Sequence, residues 1–350
     1  MFVNEICQLI IRPPKSTYST RLLGPELSII QGVPVTREDF EFTSRQLKLQ
    51  ASYFITQQIH HRCLIYLHGN SSCRFEGMQQ LERILSIGVN LCVFDFAGCG
   101  LSEGQYVTMG FYEKEDVKEL MNYIEWRFGK VDEFILWGRS MGAVTALMLS
   151  QEPRITTYIA DSAFTNLITV IEGLAKQFLG YFSFLFQASI SQIRKKIIDE
   201  AQFDINHVSP INHVSIQSYS KRFYFIHGIN DNLIDSGHSQ RLYERCKSYK
   251  ILEFCDGGHN SKRNKDILDN ITQFINLSRF DLQLNVDYTK KCSKYFKVSQ
   301  SFLNNYKIEQ LEQTEKIKNY LKQKEIKKLQ QQQQQQQLTN FQNLERRYFQ

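Results

Sequence analysis

The 350-residue chain has eight cysteines but no CxxC pair among them, which argues against a zinc site. Cys63, Cys92 and Cys255 fall inside apolar runs, where a free thiol behaves as a small hydrophobe. That usage points to a reducing, cytoplasmic compartment. No run of 18 or more apolar residues is present, so no membrane span is expected. The opening stretch "MFVNEICQLIIRPPKSTY" lacks a basic n-region and a long apolar h-region, and reads as a poor signal peptide. No internal repeat is found. Net charge is scarce as well, at +6, and it is uneven: residues 301–350 hold nine Lys/Arg against five Glu. The main body is close to neutral, so it carries no nucleic-acid footprint.

What is present suits a folded core: 42% hydrophobic and 13% aromatic residues. Short apolar runs recur, each closing on polar or glycine residues. They are "LKLQASYFIT" (47–56), "CLIYLHGN" (63–70), "NLCVFDFAGCGLSEG" (90–104), "EFILWG" (133–138), "TTYIADSAF" (156–164), "RFYFIHG" (222–228) and "KILEFCDGG" (250–258). Helical patterns lie between them. In 111–128, Val117, Leu120, Met121, Ile124 and Phe128 share one face, and further patterns lie at 141–150, 237–248 and 264–277. Strands alternating with helices predict a mostly parallel sheet with helices on both faces and active groups at the carboxyl ends of its strands.

Three regions depart from that rhythm. Residues 1–44 read as an N-terminal extension ahead of a domain at 45–280. Residues 163–208 hold no clear strand and read as a helical lid insertion. Its stretch "LAKQFLGYFSFLFQASI" (174–190) precedes Arg194, Lys195 and Lys196 and suits an acyl substrate or peripheral membrane contact. Aromatics at helical spacing are also ordinary core. From 281 to 350 the chain is a polar, Lys/Glu/Gln-rich tail, helical or disordered, with a glutamine run at 330–337. Such a tail suits protein contacts rather than chemistry.

The chemistry is concentrated in "LWGRSMGAVTALML", where a strand-like run meets Gly138-Arg139-Ser140-Met141-Gly142 and then a helix-like run. Glycines flanking a serine at a strand-to-helix turn remove side chains that would clash at a sharp elbow, which would hold Ser140 out as a nucleophile. An ordinary tight turn is the alternative. Met141 would then offer its backbone N–H to an oxyanion at the start of the helix. A second donor is expected from the loop after "YLHGN", from Asn70 or its neighbour Ser71.

A serine needs a base, and the base an orienting acid. Of the eight histidines, His259 in "EFCDGGHNS" follows the last strand in a glycine-rich loop that can reach Ser140. His68 and His227 read as structural, His238 as a surface residue, and His207 and His213 have no evident partner. Asp231 and Asp235 compete for the acid. Asp231 follows the glycine turn of its strand, whereas Asp235 reads as a helix N-cap. Asp161 reads as structural or a cap, and Asp95 as a carboxylate that binds loop amides.

The ordered set "LHGN", "DFAGCGLSEG", "GRSMGA", "IHGINDNLID" and "GGHN", spanning about 45–278, resembles the α/β-hydrolase superfamily, within it the serine aminopeptidase-like and Bem46-like branch. The "HGN" loop and "IDSGHSQRLYERC" are also similar to the protein depalmitoylases among the α/β-hydrolase-domain proteins, whose N-terminal cysteine cluster is lipidated; here only Cys7 stands in that region. The resemblance implies an α/β-hydrolase fold and a Ser-His-Asp mechanism with no metal and no organic cofactor. The expected function is a serine hydrolase of ester or thioester bonds in a small-molecule or acyl-protein substrate. A peptidase or aminopeptidase, or a catalytically silent binding module on the same fold, are the alternatives.

Overall fold

The computed structural model describes residues 2–56, 61–179, 184–215 and 221–276, apart from the side chains of Phe2, 174–179 and 184–189. All of these lie in one compact unit, Met1–Arg279. The tail at 281–350, with its glutamine run, and the centre of the aromatic lid stretch lie outside the described residues.

Nine strands form one sheet: β1 (Leu27–Ile30), β2 (Val33–Ser44), β3 (Leu47–Thr56), β4 (Arg62–Leu67), β5 (Asn90–Phe94), β6 (Glu133–Arg139), β7 (Ile155–Asp161), β8 (Arg222–Gly228) and β9 (Tyr249–Cys255). Their order is β1-β2-β3-β5-β4-β6-β7-β8-β9. From β5 onward every neighbouring pair is parallel, while β1, β2 and β3 join antiparallel. The central strands are buried on both faces, which is why β5, β7 and β8 read as near-continuous apolar runs.

Strands β1 and β2 lie within 1–44, the segment that the sequence set apart as an extension. They belong to the same sheet, and β2 runs the full length of β3, from Val35 opposite Thr56 to Ser44 opposite Leu47. The turn between them is Arg45-Gln46, both at positive φ (48° and 65°). Two-residue hairpin turns favour Asn or Gly there, so this one gives no sequence signal. Arg45 is instead anchored by its side chain: Nε and Nη2 both donate to the buried Asp116, at 3.0 Å each.

The helices are α1 (Phe2–Ile11), α2 (Leu81–Ser86), α3 (Glu113–Phe128), α4 (Met141–Met148), α5 (Leu167–Leu179), α6 (Phe184–Ala201), α7 (Pro210–His213), α8 (Gly237–Arg245) and α9 (Lys265–Asn276). Alternation along each strand sends side chains to two cores. Phe134 and Leu136 of β6 belong to the core shared with α3, α4 and α8 on one face. Ile135 and Trp137 belong to the core shared with α2 and α9 on the other. The 163–208 insertion carries α5 and α6 and, among its described residues, no strand. Helix α1 packs on α6: Ile6, Cys7, Ile10 and Ile11 are buried, and the Cys7 thiol points at the Ile193 carbonyl. Burial raises the Cys7 thiol pKa to about 11.

Candidate active site

At the end of β6 the chain turns sharply into α4. Ser140 carries the turn at φ 53° and ψ −116°, a conformation that a residue with a Cβ adopts only when its surroundings impose it. Two close approaches impose it here. A Cβ on Gly138 would lie 2.2 Å from the Gly142 carbonyl oxygen, and one on Gly142 would lie 1.9 Å from the Leu67 carbonyl oxygen. Both positions therefore exclude every side chain. The packing also seats the start of α4 against the end of β4, next to the loop that carries Asn70. The Ser140 N–H donates to the Asp161 carbonyl at 2.8 Å, fixing the elbow to β7.

The structure brings Ser140, His259 and Asp231 together. His259 Nε2 is 2.9 Å from Ser140 Oγ, and His259 Nδ1 is 2.6 Å from Asp231 Oδ2. The residues are distant in sequence but come from neighbouring strand ends: Ser140 after β6, Asp231 after β8 and His259 after β9. All three are buried, at 8%, 9% and 9% exposure, so the hydrogen bonds are largely screened from water.

Asp231 is held by more than His259. Its Oδ1 accepts from the Leu233 and Ile234 N–H groups at 2.9 and 2.8 Å, and Oδ2 lies 3.2 Å from His227 Nε2. Burial on its own would raise the carboxyl pKa; His227, His259 and the Ile234 N–H outweigh it and push the pKa well below the usual carboxylate range. An ionised Asp231 accepting from Nδ1–H leaves Nε2 free to accept from the Ser140 hydroxyl.

The other sequence candidates fall elsewhere. Asp235 accepts from the Gly237 N–H at 2.9 Å at the start of α8, the bond that a capping side chain makes, while Ser236 makes none. His238, read as a surface residue, is only 6% exposed and lies 2.9 Å from Thr165 Oγ1. Burial lowers its pKa to about 4. His227 is structural but not remote, since it backs Asp231. His68 bridges two loops, with Nδ1 on the Gly69 carbonyl and Nε2 accepting from the Phe96 N–H. Asp95 binds the Arg74 and Leu101 N–H groups. His207 stacks on Phe111, and neither it nor His213 bonds to the Ser140 cluster. Asp161 is paired with Arg263 at 2.6 Å, both nearly fully buried.

Among the described residues the Met141 and Asn70 backbone N–H groups have no protein acceptor. Asn70 uses its side chain instead: Oδ1 accepts from the Ser71 N–H at 3.1 Å, which takes up that alternative donor, and Nδ2 lies 3.5 Å from the Leu9 carbonyl of α1. Sequence reasoning missed two arginines beside the site, Arg139 and Arg263. Their partners lie far off in the chain, so no local signal marks them. A cavity of about 760 Å³ is lined by residues such as Arg45, Tyr106 and Gln202 and by none of the Ser140 cluster.

No family model matches the chain. The α/β-hydrolase domain-containing protein 17C of Xenopus laevis is 23% identical over 305 residues, which cover 77% of this chain and 88% of that protein. The lysophosphatidylserine lipase ABHD12 of Danio rerio is 27% identical over 242 residues, 66% of this chain and 59% of the lipase. Among solved structures, an esterase from Pyrococcus furiosus superimposes with a TM-score of 0.55 at 22% identity, covering 75% of this chain and 98% of that one. With the parallel sheet, the elbow after β6 and the strand-end loops already described, these likenesses show that the chain has the α/β-hydrolase fold.

Proposed function

We propose that the protein is a serine hydrolase that cleaves ester or thioester bonds through an acyl-enzyme. The observation that carries this reading is the hydrogen-bond chain from Ser140 Oγ through His259 to Asp231, mounted on a strained elbow. A serine hydroxyl is inert until a base takes its proton as it attacks. His259 Nε2 is within range to take it, and Asp231 fixes the tautomer and stabilises the imidazolium that forms. The carbonyl oxygen becomes an oxyanion, for which the Met141 and Asn70 N–H groups are the donors without protein partners. His259 then returns the proton to the leaving alcohol or thiol. Water attacks the acyl-serine in a second round with His259 again as base, releasing the acid and restoring Ser140.

An apolar acyl group is the preferred acid part, because Leu9 of α1, 53% exposed, lies beside the Asn70 loop. The relative named as a lysophosphatidylserine lipase is consistent with that choice. A fluorophosphonate probe tests the reading directly, since it labels only an activated serine. Wild type should label, and Ser140→Ala and His259→Ala should not. A well-folded wild type that stays unlabelled, and inert toward p-nitrophenyl esters and acyl thioesters, would sink it.

A further inference from the structure

The residue between the elbow glycine and Ser140 is an arginine that the proton-transfer chain leaves unused. Its guanidinium makes three contacts. Nε and Nη2 grip Glu76 Oε1 and Oε2 at 2.7 and 2.9 Å. Nη1 donates to Asn260 Oδ1 at 2.7 Å. Nη2 also lies over Gly69 so closely that a Cβ there would come within 3.1 Å of it. Glu76 in turn accepts from the Gly69 N–H at 3.3 Å and from the Tyr66 hydroxyl at 3.0 Å. Gly69 precedes Asn70, and Asn260 follows His259. One side chain, rooted next to the nucleophile, therefore touches both the loop of the second oxyanion donor and the loop of the base.

We propose that Arg139 is a positioning residue that sets the His259 loop and the Asn70 loop against Ser140, with Glu76 as its counter-charge. The proposal rests on the hydrolase reading above. A planar fork can serve a carboxylate and an amide at once, whereas the point charge of a lysine cannot. The far side of the base loop is held in the same manner: Arg263 Nη1 reaches the Gly258 carbonyl at 3.3 Å while Nε and Nη2 hold Asp161. His259 thus sits between two guanidinium groups. Its charged and titratable surroundings are Asp231 and His227 from β8 and its loop, Arg139 with Glu76 beside the elbow, and Arg263 with Asp161 across β7. Each cation is matched by a carboxylate. An imidazolium formed during catalysis therefore meets two neutral pairs rather than two repelling charges. Burial opposes ionisation of Glu76, but the hydrogen bonds and charge of Arg139 more than offset it and bring its pKa to about 2, so the pair stays ionised across the working range.

The test is a set of pH–rate profiles for p-nitrophenyl acetate hydrolysis by the full chain. The variants are Arg139→Lys, Arg139→Gln, Glu76→Gln and Asn260→Ala, each corrected for folded fraction by circular dichroism. Arg139→Gln and Arg139→Lys should both lose about 10–100-fold in kcat with little change in KM, as loss of alignment does. Asn260→Ala, which keeps the ion pair, should lose less. The acid limb should move in opposite directions: upward by about half a pH unit in Arg139→Gln, where Glu76 is left unmatched and favours the imidazolium, and downward in Glu76→Gln, where the lone cation opposes it. A purely structural role would lower the folded fraction and leave both limbs in place. Unmoved limbs, limbs that move together, or full kcat in Arg139→Lys overturn the proposal. A wild type that neither labels with fluorophosphonate nor turns over ester overturns the hydrolase reading itself, and the proposal with it.

Discussion

The two edges of the central sheet use the same pairing of arginine with carboxylate to opposite ends. At the amino edge, Glu133 at the start of β6 bonds Arg62 of β4 at 2.7 Å and Arg222 of β8 at 3.3 Å. Both guanidinium groups go on to the Ile275 carbonyl in the last turn of α9, and Arg222 Nε also takes Thr157 Oγ1 at 2.7 Å. Four strand starts, of β4, β6, β7 and β8, and one helix end are thereby stapled together. At the carboxyl edge, Arg139 and Arg263 tie loops to the ends of β6 and β7, and they flank His259 without touching its ring nitrogens. The amino edge ties strand starts to a helix end; the carboxyl edge ties the Asn70 and His259 loops to the strand ends beside Ser140.

Substitutions can break this contrast, and the largest effect belongs to the carboxyl edge. Ser140→Ala should cost at least about 10⁴-fold in kcat with an unchanged thermal midpoint, read by ester turnover and circular dichroism. Next, Asp231→Asn should cost about 10³–10⁴-fold while Asp235→Asn stays within about threefold, read as kcat in parallel. Equal losses would mean that the acid has been misassigned. The amino edge should answer in stability instead. Glu133→Gln leaves two inward guanidinium groups short of their counter-charge and should cost about 3 kcal/mol in urea unfolding, with kcat per folded molecule retained. A loss of kcat there would erase the distinction between the edges. The smallest effect is pH-linked. Because Glu76 is held at about 2 in the fold, its contribution is fully present above the unfolded carboxyl value and is lost as pH falls from about 4.5 through 2. Urea midpoints at pH 7 and pH 3 should therefore differ by less in Glu76→Gln than in wild type.

The carboxyl edge was the more legible of the two from sequence. Parallel strands print as apolar runs, and each run ends where its loop begins, so position marks Ser140, Asp231 and His259 as candidates, with Asp235 still competing for the acid. The braces could not. Arg139 and Glu76 are 63 residues apart and Arg263 and Asp161 are 102 apart, and pairing over such distances leaves no periodicity. Strand β2 was hidden for a different reason. Its sequence "VPVTREDFEFTS" mixes a proline and charges into an antiparallel strand with one face toward solvent, and its turn lacks the usual residues. His238 was misjudged because its partner, Thr165, lies 73 residues away in the chain.

Helix α1 adds a constraint in time. Its apolar face is covered by α6, and the contact between Cys7 and Ile193 spans 186 residues of chain. At translation rates of about 5–20 residues per second, α1 is made some 10–40 seconds before its cover exists. During that interval Ile6, Ile10 and Ile11 have no native partner on α6. Synthesis that stalls before α6 leaves a helix that a chaperone must hold, whereas a stall after residue 201 leaves one that can already dock.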